Sequence, residues 1–533
     1  MGNISAVNAI AINAPLTCCQ YVSFVIFNSA QVWVRGSWEF PDSKQTPLLW
    51  MVLFFGGVAV GMLAISSRSF WIDECSVAWL ASLPSLEELW RSVVADRTTE
   101  LQTPFYTFFI WCWEKAFGHG EWVFRVSNVP WFAVGLTAGC AAAGTRLRWA
   151  VAVVLLASPF AWFKMDEARS YAMQLGLSLL VGAALVRLSQ PNLQPTARER
   201  LWFAVVCGGG LALSASSMMA MIWFGGFLSA WLWTVSWKHA LELAKRHMLI
   251  LGTNVILGLG LGCYYLWTVK IGARGYSPTP ARLAAIPLVA YELCGFLGLG
   301  PSRLALRSEE TRALWPYLPI LAVYGALVLL TMLAGWRCLK EQLSARVLSG
   351  ITACLLSAAV VIFLAGVISH FRVQGRHFTP LLGPLALLLG AGVFSLWTKP
   401  ARWNKSVAAG FVLVSLVSCF SLRFASRHGK DDYRTAAAIG AQALAKGEQV
   451  WWSADPRGAL VYGMPVATEP QPGKALVILN PSREFLNGLN FPDVVIASKA
   501  DLYDNAGALL ACLAERRFKK DMVLTAFTVW RRE

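Results

Sequence analysis

Long apolar runs separated by short polar stretches dominate this chain from Leu48 to Arg423. A helix needs roughly 20 predominantly apolar residues to cross a bilayer. On that measure, runs near 48–66, 122–143, 149–163, 171–187, 201–215, 218–235, 248–268, 316–335, 348–369, 378–397 and 407–423 predict eleven spans. The connections between them alternate in character. One set is basic and poor in acids: Arg146 and Arg148; Arg187, Arg198 and Arg200; Lys238, Lys245 and Arg246; Arg337, Lys340 and Arg346; Lys399, Arg402 and Lys405. Cytoplasmic loops retain Lys and Arg, so this set is expected inside. The opposite set, expected outside, holds the acidic pairs Asp73-Glu74 and Asp166-Glu167, the stretch His370 to His377, and everything after Arg423.

Three regions depart from this pattern. Residues 1–46 carry no Lys or Arg before Arg35, so they lack the basic start of a signal peptide. Asn13, Pro15, Gln20 and Asn28 interrupt their apolar character, which favours an interfacial or cytoplasmic segment over an additional span. The first outer loop, 67–121, predicts two amphipathic helices, Ser76 to Trp90 and the aromatic Pro104 to Phe117, suited to the interface plane. Their aromatic stripes read as interface anchors, with sugar stacking as the alternative. The outer loop 269–315 is Arg-rich and contains Ile286 to Leu299, too short for a span, so a re-entrant or surface segment is expected.

After Arg423 the composition becomes that of a soluble domain. A helix over Asp431 to Ala445, short strands at Gln449 to Ser453, Ala475 to Leu479 and Asp493 to Ala497, a helix over Tyr503 to Arg516 and a final β stretch from Met522 to Arg531 predict a small α/β unit. The fold class is therefore a polytopic α-helical membrane protein. Its parts are 1–46, a transmembrane domain over 47–423, and an extracytoplasmic α/β domain over 424–533.

Composition agrees. The chain has 533 residues and is 56% hydrophobic, with a mean hydropathy of +0.52, values that suit a bilayer rather than water. The net charge of +16 sits between apolar runs, which points to topology and anionic headgroups rather than nucleic acid. The 12 cysteines are scattered, mostly within apolar runs, and form no CxxC.

Two adjacent carboxylates where a helix leaves the membrane are costly neighbours, and this chain has two such pairs. Asp73 suits a general base toward an acceptor hydroxyl, with Glu74 tuning or holding it; the other reading is a helix start, where acids favour the dipole. Asp166, Glu167 and Arg169 lie between two spans, where charges must pair internally. The functional version gives Arg169 a phosphate and the acids an acceptor or a cation. Arg376 and His377, just before a span, suit a lipid phosphate, with snorkelling toward headgroups as the alternative. Carboxylates with His370 or His377 are suitable donors to a hard divalent cation, although no spacing is diagnostic of one.

The order of short motifs carries a resemblance. After the first span and the acidic pair come Gln102-Thr103-Pro104-Phe105-Tyr106, then Gly118 to Arg125, then Ser158-Pro159 leading to Asp166-Glu167-Ala168-Arg169-Ser170-Tyr171, and later Lys430-Asp431-Asp432-Tyr433-Arg434. This order resembles the GT-C glycosyltransferases, specifically the bacterial relatives of dolichyl-phosphate-mannose protein mannosyltransferases and of the lipid A aminoarabinose transferase. The resemblance implies transfer of a sugar from a polyprenyl-phosphate carrier, usually with inversion, at the outer face of the bacterial cytoplasmic membrane. It makes Asp73 the base, with Glu74 beside it. Glu167 and Arg169 match its acidic-Ala-Arg motif, and Asp166 joins them in the catalytic group. Arg376 matches a carrier-phosphate arginine, with Arg169, His377 and Arg125 as further phosphate candidates. Gln102, Tyr106 and Tyr171 are assigned to the acceptor or sugar cleft. Gln102 stands where relatives often have His, which puts a metal or acceptor role there in doubt. The implied partners are the lipid-linked donor, an acceptor glycolipid, glycan or protein, and the bilayer. A polysaccharide polymerase or ligase, and a flippase for lipid-linked saccharides, are the competing readings.

Overall fold

The computed structural model describes residues 46–190, 197–272 and 283–532. The expectation for 1–46 therefore lies almost wholly outside the described residues, as do parts of the loop 269–315. Each of the eleven apolar runs is helical. The first is α1 (Thr46–Ala64). On its polar side follow α2 (Ile72–Ser82), α3 (Leu86–Ala95) and α4 (Pro104–Phe117). Then come α5 (Glu121–Val126), α6 (Asn128–Ala142), α7 (Gly144–Leu156), α8 (Pro159–Met165), α9 (Tyr171–Leu188) and α10 (Ala197–Ser216). The bundle continues with α11 (Met218–Thr234), α12 (Trp237–Arg246) and α13 (Met248–Lys270), and with the short α14 (Ala285–Leu293) and α15 (Arg303–Ser308). It closes with α16 (Leu318–Gln342), α17 (Ala345–Ile368), α18 (Leu382–Thr398) and α19 (Arg402–Phe424).

By length and apolarity, seven segments suffice to cross a membrane among the described residues, or up to nine if each of two bent pairs forms one span. Eleven were expected. The pairs α7–α8 and α11–α12 bend by 56° and 119°. The run 122–143 is divided at Ser127 into the short α5 and α6. In α10 the charges of Arg198, Glu199 and Arg200 and three consecutive glycines dilute the apolar run. Outward-facing Leu249, Ile256, Leu259 and Leu266 of α13 are each at least two-thirds exposed, a surface that hydrocarbon solvates and water does not.

Helix contacts in the bundle rely on small residues, since lipid removes the hydrophobic drive to associate. A Cβ on Gly135 of α6 would stand 2.6 Å from Cα of Gly176 in α9. Gly335 of α16 and Gly392 of α18 meet the other helix's backbone in the same way. Any side chain there would force the helices apart.

The helix expected over Ser76 to Trp90 is two helices. Pro84 cannot continue α2, and Ser85 caps α3 by accepting from the Glu88 N–H at 3.2 Å. The final β stretch is likewise two strands. In the C-terminal sheet β1 (Val450–Ser453), β2 (Val466–Ala467), β3 (Ala475–Val477) and β4 (Val494–Ser498) run parallel, and β5 (Lys519–Leu524) and β6 (Phe527–Arg531) form an antiparallel hairpin turning at Ala526, φ +66°. The order is β2-β3-β1-β4-β6-β5. Strand alternation sends Trp452, Val494 and Ile496 to one face and Trp451 and Val495 to the other. The first face packs on α20 (Tyr433–Ala445) and joins one apolar cluster with Phe70, Cys75, Ala78 and Tyr106 of the first loop. The terminal domain meets the first loop where its helix Pro456–Val461 packs against α2.

Candidate active site

Four connections meet at one end of the bundle: 65–71 after α1, 166–170 between α8 and α9, 369–376 before α18, and 425–432 after α19. Arg68 ties the first to the last by donating to the carbonyls of Arg423 (2.7 Å) and His428 (2.9 Å). Ser66 ties the first to the second, its N–H and Oγ donating to Asp166 at 2.6 and 3.0 Å. Both acidic pairs therefore lie on the same end, with Arg376 beside them.

The innermost layer is a buried ion cluster. Glu74 is fully buried and accepts from Arg125 Nε (3.0 Å) and Nη2 (2.8 Å), the Ala168 N–H (2.7 Å), Lys430 Nζ (3.2 Å) and the Trp71 N–H (3.3 Å). Burial pushes this carboxyl upward, but Arg125 and Lys430 outweigh it and hold the pKa at about 2. The remaining Arg125 donors bond the carbonyls of Ser66 (2.8 Å), Arg68 (2.7 Å) and Ser69 (3.3 Å). Arg125 is fully buried and, though expected at a phosphate, has every guanidinium donor engaged with protein. Asp166 shares Lys430 at 3.4 Å.

A second group lies beside it. Glu167 pairs with Lys164 at 3.0 Å and with Arg303 at 3.4 Å. Arg303 also reaches Glu292 (3.2 Å), and Glu292 accepts from the Gly375 N–H (2.6 Å), which anchors the segment carrying Arg376. The Arg303 guanidinium lies over the rings of Phe163 and Trp71.

The third layer opens to solvent. Asp73 projects from the first turn of α2, and its Oδ2 accepts from Arg376 Nη1 at 3.0 Å. The two side chains are 33% and 28% exposed, whereas Arg169 is 12% and the Glu74–Arg125 pair 0% exposed. Arg169 donates to Glu100 (2.8 Å) and to the Asp73 carbonyl (3.1 Å). Burial raises the Asp73 carboxyl, while Arg169, Arg376, Lys499 and Arg303 together bring it below the ordinary carboxylate range. Asp73 is ionised at neutral pH.

The expected cleft residues surround Arg169. Gln102 ends the 3-10 turn Thr99–Gln102 that carries Glu100. Tyr106 is buried with no hydrogen-bond partner for its hydroxyl among the described residues. Burial pushes that hydroxyl upward and Arg169 pulls it back only in part. Tyr171 is buried with Lys164 Nζ 4.4 Å from its ring centroid. His377 is turned to local work: its Nδ1 accepts from the Gln374 N–H at 3.2 Å and its ring packs on Phe371.

Glu100, Glu292 and Lys499 were not singled out from the sequence. Glu292 had a readable signal, a lone acid inside the apolar stretch 286–299, where a buried charge must have a partner. Glu100 and Lys499 carry none, because the fold alone brings them to Arg169 and Asp73.

For a divalent cation the donor set is a poor fit. Glu74, Asp166, Glu167 and Asp73 are each committed to Arg or Lys, and among the described residues no three His, Cys, Asp or Glu side chains gather as metal ligands. Balanced ion pairs of this kind leave a carboxylate little need of a metal.

No family model matches the chain, and no curated protein matches it significantly. Solved structures do. The apo crystal structure of ArnT from Cupriavidus metallidurans is 16% identical, with a TM-score of 0.54 over 91% of this chain and 98% of that one. The same protein bound to undecaprenyl phosphate gives 15% identity and a TM-score of 0.47 over the same shares. An oligosaccharyltransferase from Archaeoglobus fulgidus, in complex with Zn and sulfate, gives 11% and 0.45 over 74% of this chain and 55% of that one. At 16% identity the likeness is one of fold: this chain shares its overall fold with the apo ArnT structure.

Proposed function

We propose that this protein is a membrane glycosyltransferase. It moves a sugar from a polyprenyl-phosphate carrier to an acceptor hydroxyl at the outer face of the membrane, with Asp73 as general base. The reading rests on one observation above the others: Asp73 and Arg376 form a 3.0 Å pair, about one-third exposed, beside the fully buried Glu74–Arg125 pair. A base and an anion binder side by side suit attack on a sugar whose leaving group is a lipid phosphate.

In this mechanism the donor phosphate takes Arg376 from Asp73. The exchange is close to neutral in charge, since one anion replaces another on the guanidinium. Asp73 loses a cationic partner, so its proton affinity rises in the complex. The acceptor hydroxyl then gives its proton to Asp73 as its oxygen bonds to the anomeric carbon. The bond from that carbon to the phosphate oxygen breaks with inversion, and the phosphate monoester leaves on Arg376, with Arg169 beside it. Glu74, Arg125, Lys430 and Asp166 hold the frame and stay out of the chemistry. The basic loops at the opposite ends of the helices support an outward-facing site and an outer C-terminal domain.

The test is a transfer assay in nanodiscs with a panel of polyprenyl-phosphate sugars and envelope lipid acceptors, read by mass spectrometry. Acceptor gaining one sugar together with free polyprenyl phosphate supports the reading. Transfer of a whole glycan would make it a polymerase or ligase, and donor moved across the bilayer intact would make it a transporter.

A further inference from the structure

The C-terminal sheet sends one side chain toward the reacting end of α2. Lys499 follows the last residue of β4 and has φ +32° and ψ 73°, the left-handed region, where a side chain other than glycine is uncommon. Its backbone is held on both sides. Before it, Ser498 Oγ donates to the Ala526 carbonyl at 2.7 Å; after it, the N–H groups of Leu502 and Tyr503 donate to the Lys499 carbonyl at 2.8 and 3.1 Å. This unusual conformation aims the ammonium out of the sheet and into a buried ion pair with Asp431, in which the two side chains are 6% and 5% exposed. The same Asp431 Oδ2 is 3.5 Å from the N–H of Ile72, the residue before Asp73. Two neighbouring contacts grip the same segment: Tyr462 Oη accepts from the Phe70 N–H at 2.8 Å, and Ser69 Oγ accepts from the Arg434 N–H at 3.1 Å.

We propose that Lys499 is a positioning residue for the reaction: through Asp431 it fixes the start of α2, the helix whose first turn carries Asp73. The terminal domain is on this view part of the catalytic apparatus. The inference rests on Asp73 being the base. The charged and titratable groups facing Asp73 are Arg169 and Tyr171 from the 166–171 turn, Arg376, Arg303 from α15, Glu74 on its own helix, and Asp431, Asp455 and Lys499 from the terminal domain. Arg169 remains tied to Glu100 and Arg303 to Glu167 and Glu292. Lys499 shares its own carboxylate, Asp431, with the helix start itself.

The experiment compares full-length wild type, Lys499→Gln, Lys499→Arg and Asp73→Asn in nanodiscs, measuring kcat and donor KM against pH. Lys499→Gln should lower kcat several-fold with donor KM unchanged. The acid limb of its kcat profile should move up by about half a pH unit, because losing a nearby cation makes the carboxylate easier to protonate. Lys499→Arg should restore both. The double variant Lys499→Gln/Asp431→Asn removes the cation and the anion together without stranding a buried charge, so its limb should stay near that of wild type while kcat remains lowered, because the start of α2 is no longer held. An unshifted limb in folded Lys499→Gln, a wild-type kcat in the double variant, or a loss confined to KM overturns the proposal. Full activity in Asp73→Asn overturns the underlying reading instead, so the two failures are distinguishable.

Discussion

Replacing Glu74 by Gln tests the division of labour between the two adjacent acids. Gln keeps the volume and one acceptor oxygen but leaves Arg125 and Lys430 facing a neutral group in a site closed to solvent. Holding the Glu74 carboxyl at about 2 against its ordinary 4.5 is worth about 3 kcal/mol, at about 1.36 kcal/mol per pH unit. That agrees with the ~3–5 kcal/mol lost when one member of a buried pair is removed. The folded carboxyl is the more acidic, so this stability is fully present above pH 4.5 and fades as pH falls toward 2. Thermal unfolding in detergent, followed by tryptophan fluorescence at pH 7, should show Glu74→Gln melting several degrees below wild type. The deficit should shrink on acidification. Adding Arg125→Gln should recover part of the loss, since the stranded cation goes with it. If Glu74→Gln melts with wild type and yet abolishes transfer, Glu74 acts on the substrate and its scaffold role is wrong.

Arg376→Ala should raise donor KM and cut kcat/KM by about 100-fold, the worth of a charge-assisted phosphate contact of about 3 kcal/mol, while Arg376→Lys recovers part of it; steady-state kinetics with varied donor check both. Tyr106→Phe removes a buried hydroxyl with no partner among the described residues, so stability should hold or rise by up to about 1 kcal/mol, measured as a melting shift. Gly176→Leu should prevent α6 and α9 from closing, seen as loss of monodisperse protein on size exclusion, whereas Gly182→Leu, where a Cβ meets nothing within 4 Å, should behave as wild type. Chelators should leave the transfer rate unchanged, since the carboxylates of the site are already neutralised by Arg and Lys.

Much of the bundle was legible because bilayer thickness fixes helix length and loop charge fixes direction. The alternation of basic and acidic loops was enough to bring Asp73, Asp166 and Arg376 to one end before any contact was known. The apolar periodicity does not show the breaks, although Pro84 is itself a stop that the sequence carries. Pro84 divides a continuous amphipathic pattern into α2 and α3, and the hairpin at Ala526 lies inside a stretch whose alternation does not change. The apolar runs at 122–143 and 201–215 suggest spans, but the first is split at Ser127, which hydropathy does not register, and the second lies in a helix, α10, diluted by charges and glycines that the sequence itself shows. In the site, residue types were readable and pairings were not. Arg125 and Arg376 look alike in sequence, each near a span end, yet one is spent on Glu74 and three carbonyls and the other stands at the opening. Glu100 and Lys499 reach the site from distant segments, and only packing decides that.

Asp73→Asn bears most directly on the central claim. Asn keeps the volume and most hydrogen bonds but cannot accept the proton. Release of free polyprenyl phosphate from a sugar-loaded donor, in the presence of envelope acceptors, would be followed for wild type and for a folded Asp73→Asn protein. Acceptor-dependent release by wild type, reduced at least about 100-fold in the variant, is the predicted result. Equal release by both proteins would remove Asp73 from the chemistry and contradict the account.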